Sequence, residues 1–181
     1  MKSVAFFTIL ITLVISITGC GAPQSQPSPQ PPPTAPVTPG YIRSYDHNLS
    51  FGFDYPESWE MEALPTANPG GISMDKIEVY TKRGEPTRIE IVVGPTNFKS
   101  LAEVKGFGRI DQQSILKEGF VVINNRQAYD VTFKQYPDNK ARWVTFLAND
   151  REYRIECYTT EDFYPAREEI FDYVIASFVI D

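Results

Sequence analysis

The sequence predicts an α+β domain, an antiparallel β-sheet flanked by helices. Two observations predict it. Beyond residue 40 most of the chain alternates apolar with polar residues, the period of half-buried strands, and turn-forming residues separate these runs. Helical spacing replaces that period only midway and again at the end, the order of an α+β layered domain.

The first residues belong to something else. Lys2 supplies one positive charge, and residues 4–17 form an apolar run of 14 residues. A bilayer core needs roughly 20, so the run fits the apolar part of a secretory signal better than a membrane span. Its end, Ile17-Thr18-Gly19-Cys20, resembles the lipobox of bacterial lipoproteins, with Gly19 in the small position and Ile17 where Leu is commonest. That resemblance implies removal of residues 1–19 and attachment of lipid to Cys20. Each buried methylene contributes about 0.8 kcal/mol, so stable anchoring takes two or more acyl chains. An uncleaved helix or an ordinary signal peptide is the alternative. Gly21 follows the cysteine, so the Asp that retains some lipoproteins in the inner membrane is absent, and inner and outer membrane stay open.

Residues 20–40 read as a lipidated, proline-rich tether, because eight of the chain's 15 prolines fall there. Proline lacks an amide donor and fixes φ, which excludes this stretch from sheet and helix. At about 3.1 Å per residue it reaches roughly 60 Å. Residues 41–181 remain as a single domain with one core.

Within that domain, residues 49–55 alternate through Leu49, Phe51, Phe53 and Tyr55 and pair with residues 41–45 across the turn Asp46-His47-Asn48. Pro56 ends the strand. Trp59 is expected to fold back and close the corner, with Met61 and Leu64 continuing the chain. A loop at residues 65–71 follows. Ile77 and Val79, then Ile89, Ile91 and Val93, mark two antiparallel strands joined through Gly84-Glu85-Pro86. Ser100 and Glu103 form a capping box, and Leu101, Val104, Ile110, Ser114 and Ile115 suggest a kinked helix or two short ones ending at Gly119. Four strands follow as a meander over residues 120–123, 128–135, 142–148 and 152–158, turning at Asn124-Asn125, residues 136–139 and Asn149-Asp150. The third carries apolar residues on both faces, Trp143 with Leu147 and Val144 with Phe146, and is expected to be central. A last helix begins near Glu161, tolerates Pro165 in its first turn, and repeats Phe163, Ile170, Phe171, Val174 and Phe178 at helical spacing.

The stretch Phe51-Gly52-Phe53-Asp54-Tyr55-Pro56-Glu57-Ser58-Trp59 is similar to the aromatic-Tyr-Pro-x-x-Trp opening of the PsbP-like family. The order of elements, Asn124-Asn125 followed by Ala128-Tyr129, and the closing Ile175-Ala176-Ser177-Phe178 agree with it over nearly all of residues 41–181. The resemblance implies an α/β/α sandwich around an antiparallel sheet. It implies little about activity, since members are mostly accessory, assembly or uncharacterised proteins.

Chemistry is sparse. His47, the one histidine, sits at a turn, which leaves zinc sites and Ser-His-Asp triads one base at most. Cys157 shares the inward phase of Tyr153 and Ile155 and reads as an inert core thiol. With Cys20 lipidated, Cys157 has no disulfide partner. Gly106-Phe107-Gly108 lacks the third glycine and the preceding strand of a dinucleotide loop. The net charge of -6 disfavours nucleic acid and bare anionic lipid. No cofactor, metal or catalytic residue is expected. The candidate partner-contact residues are Ile72 and Met74 in the loop at 65–75 and Phe107 between its glycines, although packing onto the domain's own core is the simpler reading of each.

The expected function is a lipid-anchored, extracytoplasmic, non-catalytic binding or assembly module of the bacterial cell envelope, attached to a membrane through Cys20 and meeting an envelope protein. A small-ligand or solute-binding lipoprotein, and a carboxylate-dependent hydrolase, are the alternatives.

Overall fold

The structure, a computed structural model, describes residues 36–66, 74–135 and 137–181. Residues 36–181 form one compact unit. Cys20, most of the tether and Ile72 lie outside the described residues.

Strands β1 (Tyr41–Asp46) and β2 (Phe51–Pro56) form an antiparallel hairpin, and the two-residue β10 (Val179–Ile180) pairs with the far side of β2. Asp46 ties the turn by accepting from the amides of Asn48 and Leu49. The remaining strands make a second, seven-stranded antiparallel sheet in the order β3-β4-β5-β9-β8-β7-β6. Its members are β3 (Glu60–Thr66), β4 (Met74–Tyr80), β5 (Arg88–Pro95), β6 (Ile115–Ile123), β7 (Arg126–Gln135), β8 (Asn139–Ala148) and β9 (Arg151–Thr160). Helix α1 (Leu101–Gly106) interrupts the strands and α2 (Tyr164–Ser177) follows them.

The two faces of the large sheet have different covers. On one, Ile77, Val79, Ile89, Ile91, Phe146 and Ile155 pack with Phe51 and Phe53 of β2 and with Phe171, Val174 and Ile175 of α2. On the other, Tyr129, Val131, Phe133, Ala141 and Tyr158 pack against Val104 of α1. This is the α+β layering expected, with a helix on each side of the sheet.

Four expectations need correction. First, the helix drawn through residues 110–119 stops at Gly106. A short 3₁₀ turn at Gln112–Ser114 leads directly into β6, which begins at Ile115 and contains Gly119 in mid-strand. The ladder of β6 shifts register between Ile115 and Lys117, and that irregularity blurs the alternation at its start. Second, the first hairpin is a separate small sheet, because the chain leaves it at Pro56 and Trp59 buries itself at the corner before β3 starts. Third, Met74 is not in a loop: it opens β4, and a Cβ built on Gly94 would lie 2.9 Å from its Cγ. Fourth, α2 starts at Tyr164, after a turn, with Phe163 as its exposed N-cap.

The other elements follow the sequence. Ser100 caps α1, its Oγ accepting from Glu103 N at 3.3 Å, and Glu103 returns a carboxylate to Lys99 N at 2.8 Å. Asn124, Asn125, Asn149 and Asp150 all take positive φ, so both tight hairpins close with residues that tolerate it. β8 is covered on both faces as expected, although β9 holds the middle of the sheet.

Candidate interaction surface

The face of the large sheet that carries α1 is apolar under the helix but charged elsewhere. Alternation along β4, β5 and β9 sends Ile77, Val79, Ile89, Ile91, Ile155 and Cys157 into the core and turns Lys76, Glu78, Arg88, Glu90, Glu152, Arg154 and Glu156 to this face. Register then sets Glu62 beside Glu78, Glu78 beside Glu90, and Glu90 beside Glu156. Four carboxylates in a row repel, and bases two residues along the strands and in the β4–β5 turn compensate them. Lys76 Nζ lies 2.9 Å and Arg88 Nε 2.7 Å from Glu90. Arg88 also lies 3.6 Å from Glu78, and Arg83 3.2 Å from Glu62.

On β9 the pairing continues. Arg154 joins Glu156 and, at 2.8 Å, Glu152, while Arg109, from the loop after α1, grips Glu152 with both amino groups. Glu90, Glu152 and Glu156 are all buried. Burial alone would raise the carboxyl of Glu152, but Arg109 and Arg154 outweigh it and hold the group below the usual carboxylate range. Tyr158 donates to Glu156 and accepts from Trp143 Nε1 at 3.1 Å. Arg88 stacks 4.3 Å above Tyr158 and Arg154 4.9 Å above Trp143.

This network ends at an aromatic rim. Arg109 stands 5.4 Å from the centroid of Phe98 and 5.3 Å from that of Phe107, and the two rings meet edge to face at 5.3 Å. Phe107 is 62% exposed. Along β6, Leu116, Phe120 and Val122 are also exposed. Lys105 of α1 reaches Glu118 at 2.8 Å, and Tyr129 donates to the same carboxylate at 2.5 Å. Burial and the Glu118 carboxylate push the Tyr129 phenol far up, so it stays a donor.

Two recesses adjoin these features. A crevice under α1, lined by Ile110, Ile115, Tyr129 and Trp143, holds about 20 Å³, room for roughly one water. An open cleft of about 320 Å³ lies between β6–β8 and α2. Arg142 crosses it, gripping Asp130 at 2.8 and 3.0 Å and also Asp172.

Of the candidate contact residues, Phe107 is at the surface, Met74 packs over Gly94, and Ile72 lies outside the described residues. His47 is exposed at its turn, 4.6 Å from the ring of Tyr45. Cys157 is fully buried and unpaired, and burial pushes its thiol far up. Among the described residues no three His, Cys, Asp or Glu side chains are grouped to hold a metal ion. The charged rows escaped the sequence reading because alternate charges on a strand look like a solvated face. Each of β4, β5 and β9 carries both signs on that face, but only the sheet order sets the three strands side by side.

No family model matches the chain, and no curated protein does. Solved structures do. The solution structure of PsbP (CyanoP) from Synechocystis sp. PCC 6803 aligns with a TM-score of 0.58 at 13% identity, over 80% of this chain and 95% of that one. A crystal structure from Bacteroides thetaiotaomicron VPI-5482 aligns at 0.51 and 12% identity, over 77% of this chain and 48% of that one. A Pseudomonas aeruginosa protein of unknown function aligns at 0.43 and 12%, too distant in shape to argue from. At these identities the likeness concerns fold alone, and the chain has an α+β fold similar to that of cyanobacterial PsbP.

Proposed function

We propose that this chain is a lipid-anchored, non-catalytic recognition or assembly module of the bacterial envelope, held outside the cytoplasmic membrane by lipid on Cys20 and contacting an envelope protein. The observation that carries the reading is the state of the ionisable groups on the α1 face. The buried carboxylates there are each engaged by a base, and Glu152 is held away from the pH at which a general acid or base must titrate. A thiol buried as Cys157 is, and a histidine on an open turn, offer no activated nucleophile. Exposed Phe107 beside Arg109 supplies instead the aromatic-plus-arginine chemistry enriched at protein interfaces.

The test is capture of partners from the source membranes with native chain and with Phe107→Ser. A stoichiometric envelope protein held by the native chain and lost with the variant supports the reading. Turnover of an ester, amide or phosphate substrate that disappears in Glu152→Gln overturns it.

A second reading, a small-ligand receptor, is favoured by the cleft at Arg142, whose volume lies near the lower bound of ligand pockets, about 300 Å³. Because Asp130 and Asp172 already occupy the guanidinium, a ligand would have to displace one of them. Thermal stabilisation by a polar ligand, abolished in Arg142→Lys, would favour it.

A further inference from the structure

We propose that the open edge of β6 pairs with the same edge of a second copy of this chain, as antiparallel strands centred on Phe120. Among the described residues the seven-stranded sheet ends in two edges, β3 and β6. β3 carries Glu60 and Glu62 and contains Pro65, which has no amide to offer, so it is blunted against further pairing. β6 has no such proline and exposes Leu116, Phe120 and Val122 by 50%, 56% and 69%. Its register irregularity lies at the very start, leaving residues 117–123 as a regular ladder.

The hairpin determines which backbone groups are free. Asn124 and Asn125, both at positive φ, form a two-residue turn, so the flanking pair Ile123 and Arg126 exchange hydrogen bonds. By alternation Val122, Phe120 and Glu118 turn their N–H and C=O groups away from β7. Phe120 is both one of these residues and the midpoint of 117–123.

An antiparallel pair about that point is self-complementary, as a twofold interface must be. It sets Phe120 against its counterpart, Glu118 against Val122, Lys117 against Ile123, and Gly119 against Val121. Aromatic meets aromatic and no like charges face each other. Moving the centre to Glu118 would bring two carboxylates together. Gly119 leaves clearance on its face, since a Cβ there would meet nothing within 4 Å. One strand edge makes a small contact, below the roughly 1,200 Å² of standard stable interfaces, so association depends on concentration.

Sedimentation equilibrium of the full chain in mild detergent, with Val122→Pro and Phe120→Glu alongside, tests the pairing. A reversible monomer–dimer equilibrium is expected, weakened about tenfold or more in both variants. Val122→Pro removes an amide offered to the second copy while sparing the bonds to β7, so its circular dichroism should match the native chain. Benzoylphenylalanine at position 120 should cross-link to residues 117–123 of an isotope-labelled copy, and this readout decides should either variant fail to fold. A monomer at every concentration, a dimer indifferent to Val122→Pro, or cross-links to another surface overturns the proposal. Pairing does not require lipid, so Cys20→Ser retains it, and loss of anchoring is thereby told apart from loss of pairing.

Discussion

The rings of Phe98 and Phe107 meet edge to face at 5.3 Å, and the guanidinium of Arg109 stands within 5.4 Å of both. Because the same guanidinium grips Glu152, a buried carboxylate of the central strand positions an exposed aromatic side chain at the rim.

Phe107 contributes little packing at its exposure. Phe107→Ser is expected to change stability by about 0.5 kcal/mol or less while abolishing partner capture. Denaturant titration and the capture assay check the two halves separately.

Glu152→Ala has the opposite profile. It takes a carboxylate from Arg109 and from Arg154, the latter's side chain only 12% exposed but still paired with Glu156, and should cost about 1 to 3 kcal/mol. Chemical denaturation checks the magnitude. The carboxyl is depressed in the folded chain, so its contribution is complete above the unfolded value, about 4.3. That contribution fades as pH falls through the lower, folded value. Stability measured against pH should therefore lose part of its acid limb in Glu152→Gln.

Gly52 and Gly94 separate a rigid neighbour from a yielding one. A Cβ on Gly52 would lie 2.8 Å from the Tyr45 ring and 3.1 Å from the Ser44 carbonyl, whereas on Gly94 its three nearest neighbours are all Met74 side-chain atoms, the closest at 2.9 Å. Gly52→Ala should cost about 1 to 3 kcal/mol and Gly94→Ala distinctly less, since a methionine side chain can shift. Thermal melts of the two variants compare them directly.

The Cys157 thiol should resist alkylation in the native chain and react on unfolding, because it is fully buried and its thiolate disfavoured. Labelling by a maleimide at neutral pH, followed by mass analysis, distinguishes the two states. Cys157→Ser should cost about 1 to 3 kcal/mol by burying a hydroxyl among apolar groups.

Much of the fold could be read from alternation alone. Ile89, Ile91 and Val93, or Tyr129, Val131 and Phe133, each share a face because a strand repeats every two residues. The failures have local causes. Ile110, Ser114 and Ile115 mimic helical spacing because a 3₁₀ turn runs straight into the irregular start of β6. β10 is too short to show any period. The charged network was hidden for a different reason. Glu78, Glu90 and Glu156 become neighbours only through cross-strand register, which no single stretch of sequence displays.

The proposed anchoring through Cys20 would decide where all these surfaces act, and one measurement tests it most directly. Intact mass spectrometry of the native protein extracted from membranes should find a chain starting at Cys20 and carrying acyl groups. An unmodified thiol at position 20, or the uncleaved chain in the cytosolic fraction, would contradict it.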